Sequence, residues 1–317
     1  MSRERAKGPV LVLDAGNALF KNATPGTDPQ EKARALLLLE QMEALGTSAM
    51  AVGERDLSLG TDFLLQAHKQ APKGGKMKLL SANLVDASGA RLFDASTVVS
   101  VGGVKFGLVG VSPEGPVFRQ PGVVGRPPVP AALAEARRLR EKEKVDVVVV
   151  LAAIPAVEAS KLSLQGGQAM EFILQSHDRR ASTLAQRDDY AFVMSAGERG
   201  RQVAQVVLSV AGHKGPFSDL SAVERAQQSL KVIEQNLQQA KQSLAAAKDE
   251  SVRGTWKETI AGLEARKKEL AAFQGPSGKG SERTLRFSYV ALGSDVPDDP
   301  ELKQRVERIE PPGSASH

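Results

Sequence analysis

Pro9 to Asn17 reads PVLVLDAGN. The apolar residues Val10 to Leu13 run without interruption into Asp14, Ala15, Gly16 and Asn17. An unbroken apolar run ending in small and polar residues predicts a strand buried on both faces, whose C-terminal end carries side chains to one edge of a sheet. In layered α/β proteins that edge is where ligands bind. The stretch therefore sets both the expected fold class and the place to look for chemistry.

The chain has 317 residues, 41% of them hydrophobic and 25% charged, enough for the core of one large domain or two ordinary ones. Its 42 Lys and Arg exceed its 37 Asp and Glu to give +5, but the charges are interspersed and aromatic residues make up only 4%. A basic face interleaved with stacking rings is missing, so nucleic acid is not an expected partner. Cys is absent, which excludes disulfides, thiolate metal sites and cysteine nucleophiles. No apolar run approaches the ~18 residues of a membrane span. Met1 to Lys7, MSRERAK, has no hydrophobic segment of the signal-peptide kind. As written, the chain is expected to be soluble and cytoplasmic. The charged opening reads as the end of a helix, so a strand and helix are expected upstream in the natural protein, and a signal there would carry it outside the cytoplasm.

Asp28, Pro29 and Glu31 have the pattern of a helix start and Gly46 that of its stop. Between them Ala33, Leu36, Leu37, Met42 and Leu45 lie near helical spacing. Strands are predicted at Ser48 to Val52 and Met77 to Ala82, with a helix over Thr61 to Gln70, a βαβα rhythm. Thr97 to Val101 and Val104 to Val111 predict a hairpin turning at Gly102 and Gly103. Ser112 to Pro130, rich in Pro and Gly, is expected to be an irregular connection. A helix over Pro130 to Lys144 follows, then the β-branched strand Val145 to Leu151. Strands at Phe172 to Gln175, Ala191 to Ser195 and Gln202 to Val210 extend the α/β domain.

From Leu220 the pattern changes. Val223, Ala226, Leu230, Ile233, Leu237, Ala240, Leu244 and Ala247 alternate steps of three and four, the spacing of a coiled-coil seam. A second helix is read from Thr255 and Glu258 as a capping box, through Trp256, Ile260, Leu263, Leu270 and Phe273. At ~1.5 Å per residue the two would be about 45 and about 28 Å long. That makes an unequal antiparallel hairpin whose overhang leaves Leu230 or Ile233 uncovered. Leu230, Ile233, Leu237 and Leu244 are the residues expected to meet a second copy of the chain, as a homodimer, or a different protein, unless the seam serves only to hold the helices together. Thr284 to Leu292 returns as a strand and Pro300 to Ile309 as a helix. The chain is thus read as an α/β domain over 1–218, an inserted hairpin over 219–274, a completing strand and helix over 275–310, and a tail over 311–317.

The order of these segments resembles the binuclear metallophosphoesterases of the 5′-nucleotidase type, from about Pro9 to Val210. Pro9 to Phe20 is similar to that family's strand ending in Asp-Ala-Gly-Asp, and Gly53 to Gly60, GERDLSLG, to its Gly-Asn-His-Glu-Phe-Asp-x-Gly. Ser81-Ala82-Asn83-Leu84, the strand VDVVVVL and the segment EFILQSHDR follow in family order. The resemblance implies a four-layer αββα sandwich, two packed mixed β-sheets flanked by helices, with two divalent metals at the strand ends.

Two cations about 3.5–4 Å apart need carboxylate, amide and imidazole ligands to generate hydroxide and neutralise phosphoryl oxygens. The family's bridging Asp falls here on Asn17, its Asn ligand on Glu54, its catalytic His on Arg55 and a later His on Ala153. In the closing Gly-His-x-His only His177 stands, with Arg179 at the second imidazole position; the opening Asp-x-His has no counterpart. A neutral amide does not hold two cations together, and a guanidinium does not ligate metal. Asp14, Asn17, Glu54, Arg55, Asp56, His177, Asp178 and Arg179 are therefore read as remnants, with no metal or other cofactor expected. Asp14 is expected to brace its loop through backbone amides.

The expected function is that of a catalytically inactive phosphoesterase-fold protein that binds or scaffolds through its hairpin. The alternative is a metal-dependent phosphoesterase, 5′-nucleotidase-like, with a rearranged site. There Mn, Mg or Zn would be held by Asn17, Glu54 and His177, or by a set drawn from Asp14, Glu54, Asp56, His177 and Asp178. His68 and His213 are read as surface residues and Gly74-Gly75-Lys76 as a turn.

Overall fold

The structure is a computed structural model that describes residues 2–26, 28–70, 76–117, 120–176, 186–187, 190–197, 200–212, 215–272 and 283–311. Its contacts divide the chain into two compact units, Met1–Ala204 with Tyr289–His317, and Gln205–Ser288. A short helix α1 (Ser2–Lys7) leads into β1 (Val12–Asp14), α2 (Glu31–Ala44), β2 (Thr47–Ala51), α3 (Thr61–Gln70) and β3 (Lys78–Leu80). Then come β4 (Leu84–Val85), β5 (Ser96–Val101), β6 (Val104–Val111), β7 (Gly115–Pro116), β8 (Val124–Gly125), α4 (Pro128–Arg138), β9 (Val147–Ala152), α5 (Ala156–Gly166) and β10 (Phe172–Gln175). The remaining elements are β11 (Gln186–Arg187), β12 (Phe192–Ser195), β13 (Gln202–Val210), β14 (Ser218–Asp219), α6 (Leu220–Ala246), α7 (Glu250–Ala272), β15 (Arg283–Ala291) and α8 (Pro300–Ile309).

The first unit is the expected sandwich. β1, β2 and β3 form a parallel sheet in that order. A mixed six-stranded sheet has the order β11-β12-β10-β9-β6-β5, with β12, β10, β9 and β6 parallel and β5 and β11 antiparallel at its edges. One core lies between the first sheet and α2 and α3, around Leu39, Met50, Leu64 and Met77. Another lies between the second sheet and α4 and α5, around Leu139, Val148, Val150 and Leu162. Every residue of β9 is buried because helices cover one face and the first sheet the other. The sheets approach so closely at Gly110 that a Cβ there would stand 2.3 Å from the Leu80 carbonyl oxygen.

The hairpin of β5 and β6 turns where expected, with Gly102 and Gly103 at φ of 59° and 81°, the left-handed pair that a two-residue turn requires. β1 departs from its reading: Val12, Leu13 and Asp14 are half-buried, because this strand lies at the edge of its sheet. α2 starts later than its capping pattern suggested, with Asp28 instead accepting from the Gln30 amide at 2.8 Å. The stretch from Ser112 to Pro130 is not wholly irregular. β7 and β8 lie within it, and β8 pairs with β7 on one side and with β4 on the other in a small antiparallel sheet. Two-residue strands carry no periodicity to read. α4 begins at Pro128, using the proline as its first residue. α5 has no counterpart among the predicted elements, although Pro155 precedes it and Ala159, Leu162 and Ser163 lie on its buried face.

His68 is not an ordinary surface residue. Its side chain is 14% exposed, with Nε2 2.6 Å from the Met77 carbonyl oxygen and 3.5 Å from Glu43, whose carboxyl in turn accepts the Met77 amide. His213, Gly74 and Gly75 lie outside the described residues. α8 has no buried residue and is held to α2 by charge: Arg305 grips Glu40 through two bonds of 2.5 Å, and Arg34 pairs with Glu310. The Arg305 hydrogen bond holds the Glu40 carboxyl below the usual carboxylate range. No described helix is long and apolar enough to cross a membrane.

In the second unit, β13, β15 and β14 form a three-stranded sheet, and Arg283 is buried with its guanidinium 4.3 Å over the Phe217 ring. Asp219 caps α6 by accepting the Ser221 amide at 2.9 Å. α7 begins at Glu250 under an Asp249 cap, not at Thr255; the Thr255 hydroxyl instead bonds back to the Ser251 carbonyl. The two helices have 27 and 23 residues, or about 40 and about 35 Å, so their lengths differ by less than expected. Ion pairs Glu234–Lys267 (2.9 Å) and Lys241–Glu264 (3.0 Å) set them antiparallel. On α6, Ala226, Ile233, Leu237 and Ala240 are buried, while Leu230 and Leu244 are half-buried. Phe273 lies outside the described residues.

Replacing Ile233 and Leu237 by Glu would put two charges among buried side chains. Hydrogen exchange is expected to speed up throughout α6 and α7 while peptides from β6 and β9 stay protected. Unchanged protection of α6 would show that this seam does not hold the helix pair.

Candidate functional site

The loops that leave β1, β2, β9 and β10 meet at the C-terminal edges of the two sheets. Asp56 sits at the centre of this junction, in a short 3-10 turn that follows β2. The residue is fully buried, and its two oxygens accept four backbone amides: Oδ2 those of Asn17 (2.7 Å) and Gly53 (2.8 Å), Oδ1 those of Ala18 (2.9 Å) and Leu19 (3.1 Å). Three of the donors belong to the β1 loop and the fourth to the β2 loop. Asp14 accepts the Gly16 amide at 2.7 Å, the bracing role its sequence context suggested. Burial pushes the Asp14 carboxyl up to about 6 against that hydrogen bond. Burial likewise pushes Asp56 up to about 7, opposed by its amides and reinforced by the nearby Asp14.

Asn17 is left-handed, with φ of 60°, and its side chain is engaged at both ends. Oδ1 accepts the Arg55 amide at 3.0 Å and Nδ2 donates to the Ser176 hydroxyl at 3.3 Å. Ser176 in turn donates to the Ala15 carbonyl at 2.7 Å. Ala153 is buried against the same loop, its Cβ 3.1 Å from where a Cβ on Gly16 would stand. Glu54 is exposed and Arg55 half-buried; neither side chain has a hydrogen bond or ion pair among the described residues. His177, Asp178 and Arg179 lie outside the described residues. The structure thus brings Asp14, Asn17, Glu54, Arg55 and Asp56 to one edge.

A second polar cluster lies beside it. Asn83 donates to the carbonyls of Ser112 (2.7 Å) and Arg126 (2.8 Å) and accepts the Ser112 amide (2.8 Å), while the hydroxyls of Ser81 and Ser112 lie 2.8 Å apart. Ser112 also donates to the Val52 carbonyl. The Ser-Ala-Asn-Leu segment is therefore a brace between the loops after β3 and β6. Sequence reasoning gave no role to Ser176 or Ser112; a Ser directly after a buried strand was the only available signal.

The described side chains do not fit a pair of divalent cations. Both Asp56 oxygens are filled by amides, the Asn17 oxygen is held by an N–H, and the Arg55 guanidinium does not ligate metal. Among the described residues no group of three or more His, Cys, Asp or Glu could hold a metal ion.

Family models and curated protein sequences return no match to this chain. Solved structures do. The Thermus thermophilus sulfate thiohydrolase SoxB superposes with a TM-score of 0.55 at 20% identity, over 65% of this chain and 37% of that one. A 5′-nucleotidase precursor, also from Thermus thermophilus, gives 0.52 at 25% identity, over 64% and 42%. The calcineurin-like phosphoesterase YfkN from Bacillus subtilis gives 0.53 at 16% identity, over 67% and 76%. The chain spans about two-fifths of the length of the first two.

Asp56→Asn would leave two of the four buried amides without an acceptor, a loss on the order of 3 kcal/mol. A lowered melting temperature with an intact fold is expected; an unchanged one would show that the amides find other partners. The raised carboxyls also set a pH dependence. An acid whose folded value lies above its unfolded value of about 3.9 favours the folded state when protonated. That contribution is complete below about pH 4 and is lost as pH rises through 6 to 7 for Asp14 and Asp56. Melting scans at pH 5 and pH 8 should give the higher midpoint at pH 5, with the difference reduced in Asp56→Asn.

Proposed function

We propose that this chain, which has the fold of the N-terminal domain of 5′-nucleotidase-type metallophosphoesterases, is a catalytically inactive form of that domain that works by binding. The observation that carries the reading is the chemistry at the strand ends. Where the resemblance asks for a bridging carboxylate, an amide ligand and a catalytic imidazole, the chain offers Asn17 with its oxygen on a backbone N–H, the exposed Glu54 and the guanidinium of Arg55. None of these supplies what two cations need to activate water and neutralise a phosphoryl group. Of the other remnant positions that the structure describes, Asp14 and Asp56 serve the backbone.

The binding element of this reading is the helix pair within 219–274, an insertion between β14 and β15 of the second unit. Its seam residues Ile233 and Leu237 are buried, so a partner would meet the outer faces, where Val232 and Val252 are 53% and 44% exposed. Burying a Val fully is worth about 1.5 kcal/mol or more, and a few such contacts suffice for a weak dimer or a weak complex with another protein.

Two measurements test the proposal. Purified protein assayed with Mn²⁺, Mg²⁺ or Zn²⁺ on phosphomonoesters and nucleotides is expected to show no metal-dependent turnover. Turnover that His177→Ala abolishes would establish the alternative, a hydrolase with a rearranged metal site. Sedimentation velocity over a range of concentrations addresses the helices: a dimer weakened by Val232→Glu supports self-association, and a chain monomeric throughout rejects it.

A further inference from the structure

At the strand-end edge, one side chain joins three loops. Asn17 leaves β1, accepts from the Arg55 amide of the β2 loop at 3.0 Å, and donates to Ser176 just beyond β10 at 3.3 Å. β1 and β2 belong to one sheet of the sandwich and β10 to the other. The bond to Ser176 therefore crosses between the sheets, and Ser176 closes the circuit by donating to Ala15 at 2.7 Å. The seat for this side chain is the missing Cβ of Gly53: a Cβ there would lie 2.4 Å from Asn17 Oδ1 and 2.5 Å from its Cγ. Such an approach is too close for any side chain. The left-handed φ of 60° at Asn17 is one that Asn tolerates far better than most residues, and Gly better still.

We infer that Asn17, seated on Gly53, is a cross-sheet lock that does with protein hydrogen bonds the tying of strand ends that a pair of metal ions would otherwise do. The inference rests on the reading of the edge as metal-free. It goes beyond that reading by giving Asn17, Gly53 and Ser176 a shared structural role, in which the same Asn17 that fails as a bridging ligand holds the edge closed. The lock works with the Asp56 amide cluster without duplicating it. Asp56 binds the β1 and β2 loops of a single sheet, whereas Asn17 reaches the second sheet.

The test is a double-mutant cycle read by thermal melting, on the full chain, in EDTA and in Mn²⁺. Asn17→Gly removes the side chain while keeping the left-handed backbone, and should lower the midpoint by about 3–6 °C. Gly53→Ala should lower it at least as far, because the new Cβ displaces the amide. Combined with Asn17→Gly, Gly53→Ala should cost less than it does in the wild type, since the side-chain clash is gone. Asn17→Gly melting with the wild type, or the two changes adding without coupling, would overturn the lock and leave the inactive-domain reading standing. The wild type is expected to melt at the same temperature in EDTA and in Mn²⁺. A rise in Mn²⁺ that Asn17→Gly abolishes would place a metal at the edge and overturn the metal-free reading, with the coupling between Asn17 and Gly53 still read separately in EDTA.

Discussion

The Asp56 carboxyl gathers four amides into one buried point, and the geometry of the strand ends follows from it. To present three consecutive amides to one carboxyl, the β1 loop must curl sharply after Asp14, which puts Asn17 in the left-handed region. To present the Gly53 amide to the same carboxyl, the β2 loop must pass so close to Asn17 that position 53 has no room for a side chain. A buried carboxyl is stable only when its oxygens are satisfied, so the loops and the carboxyl specify each other. Any change at one member of the set is felt at the rest.

The same economy of partners appears wherever polar groups lie between the sheets. Ser81, Asn83 and Ser112 satisfy one another and the carbonyls of Val52 and Arg126. Helix α8 is fixed differently, by partly exposed ion pairs to α2 with no buried residue of its own. Exposed pairs are worth about 0–1 kcal/mol each and weaken in salt. The sandwich core is thus held by burial and by closed hydrogen-bond sets, and α8 by surface charge.

The strongest β patterns were legible from residues alone. β9 is a continuous, mostly β-branched run buried throughout, and β6 and β10 are mostly apolar, patterns that leave few alternatives. The weak elements were not: β7 and β8 are too short to show a period, and α5 mixes exposed Val157 and Leu164 with a buried Ser163, which blurs its helical stripe. The start of α7 was misread because Thr255 and Glu258 resemble a cap while the working cap, Asp249, follows an Ala-rich end. At the edge, the identity of each candidate residue was readable by position. The partners were not, because Asp56 and Asn17 bond to amides that lie close in space and far along the chain.

A layered fold does not depend on metal ligands at its strand ends, and the distribution of the core explains why. The apolar clusters under α2 and α3 on one side and under α4 and α5 on the other lie largely on the outer faces of the sheets, with Leu19, Leu57 and Ile154 reaching the strand ends. Their burial is non-directional and scales with area, so it is indifferent to which side chains occupy the edge. What the edge must satisfy is local: every buried N–H and C=O there needs a partner. A metal centre meets that demand in part by fixing carboxylates and imidazoles. Here Asp56, Asn17, Ser112 and Ser176 meet it with backbone groups of the loops themselves. The strand ends can therefore stay ordered whatever stands at positions 54 and 55, because the side chains of Glu54 and Arg55 carry none of the bonds that hold the loops together.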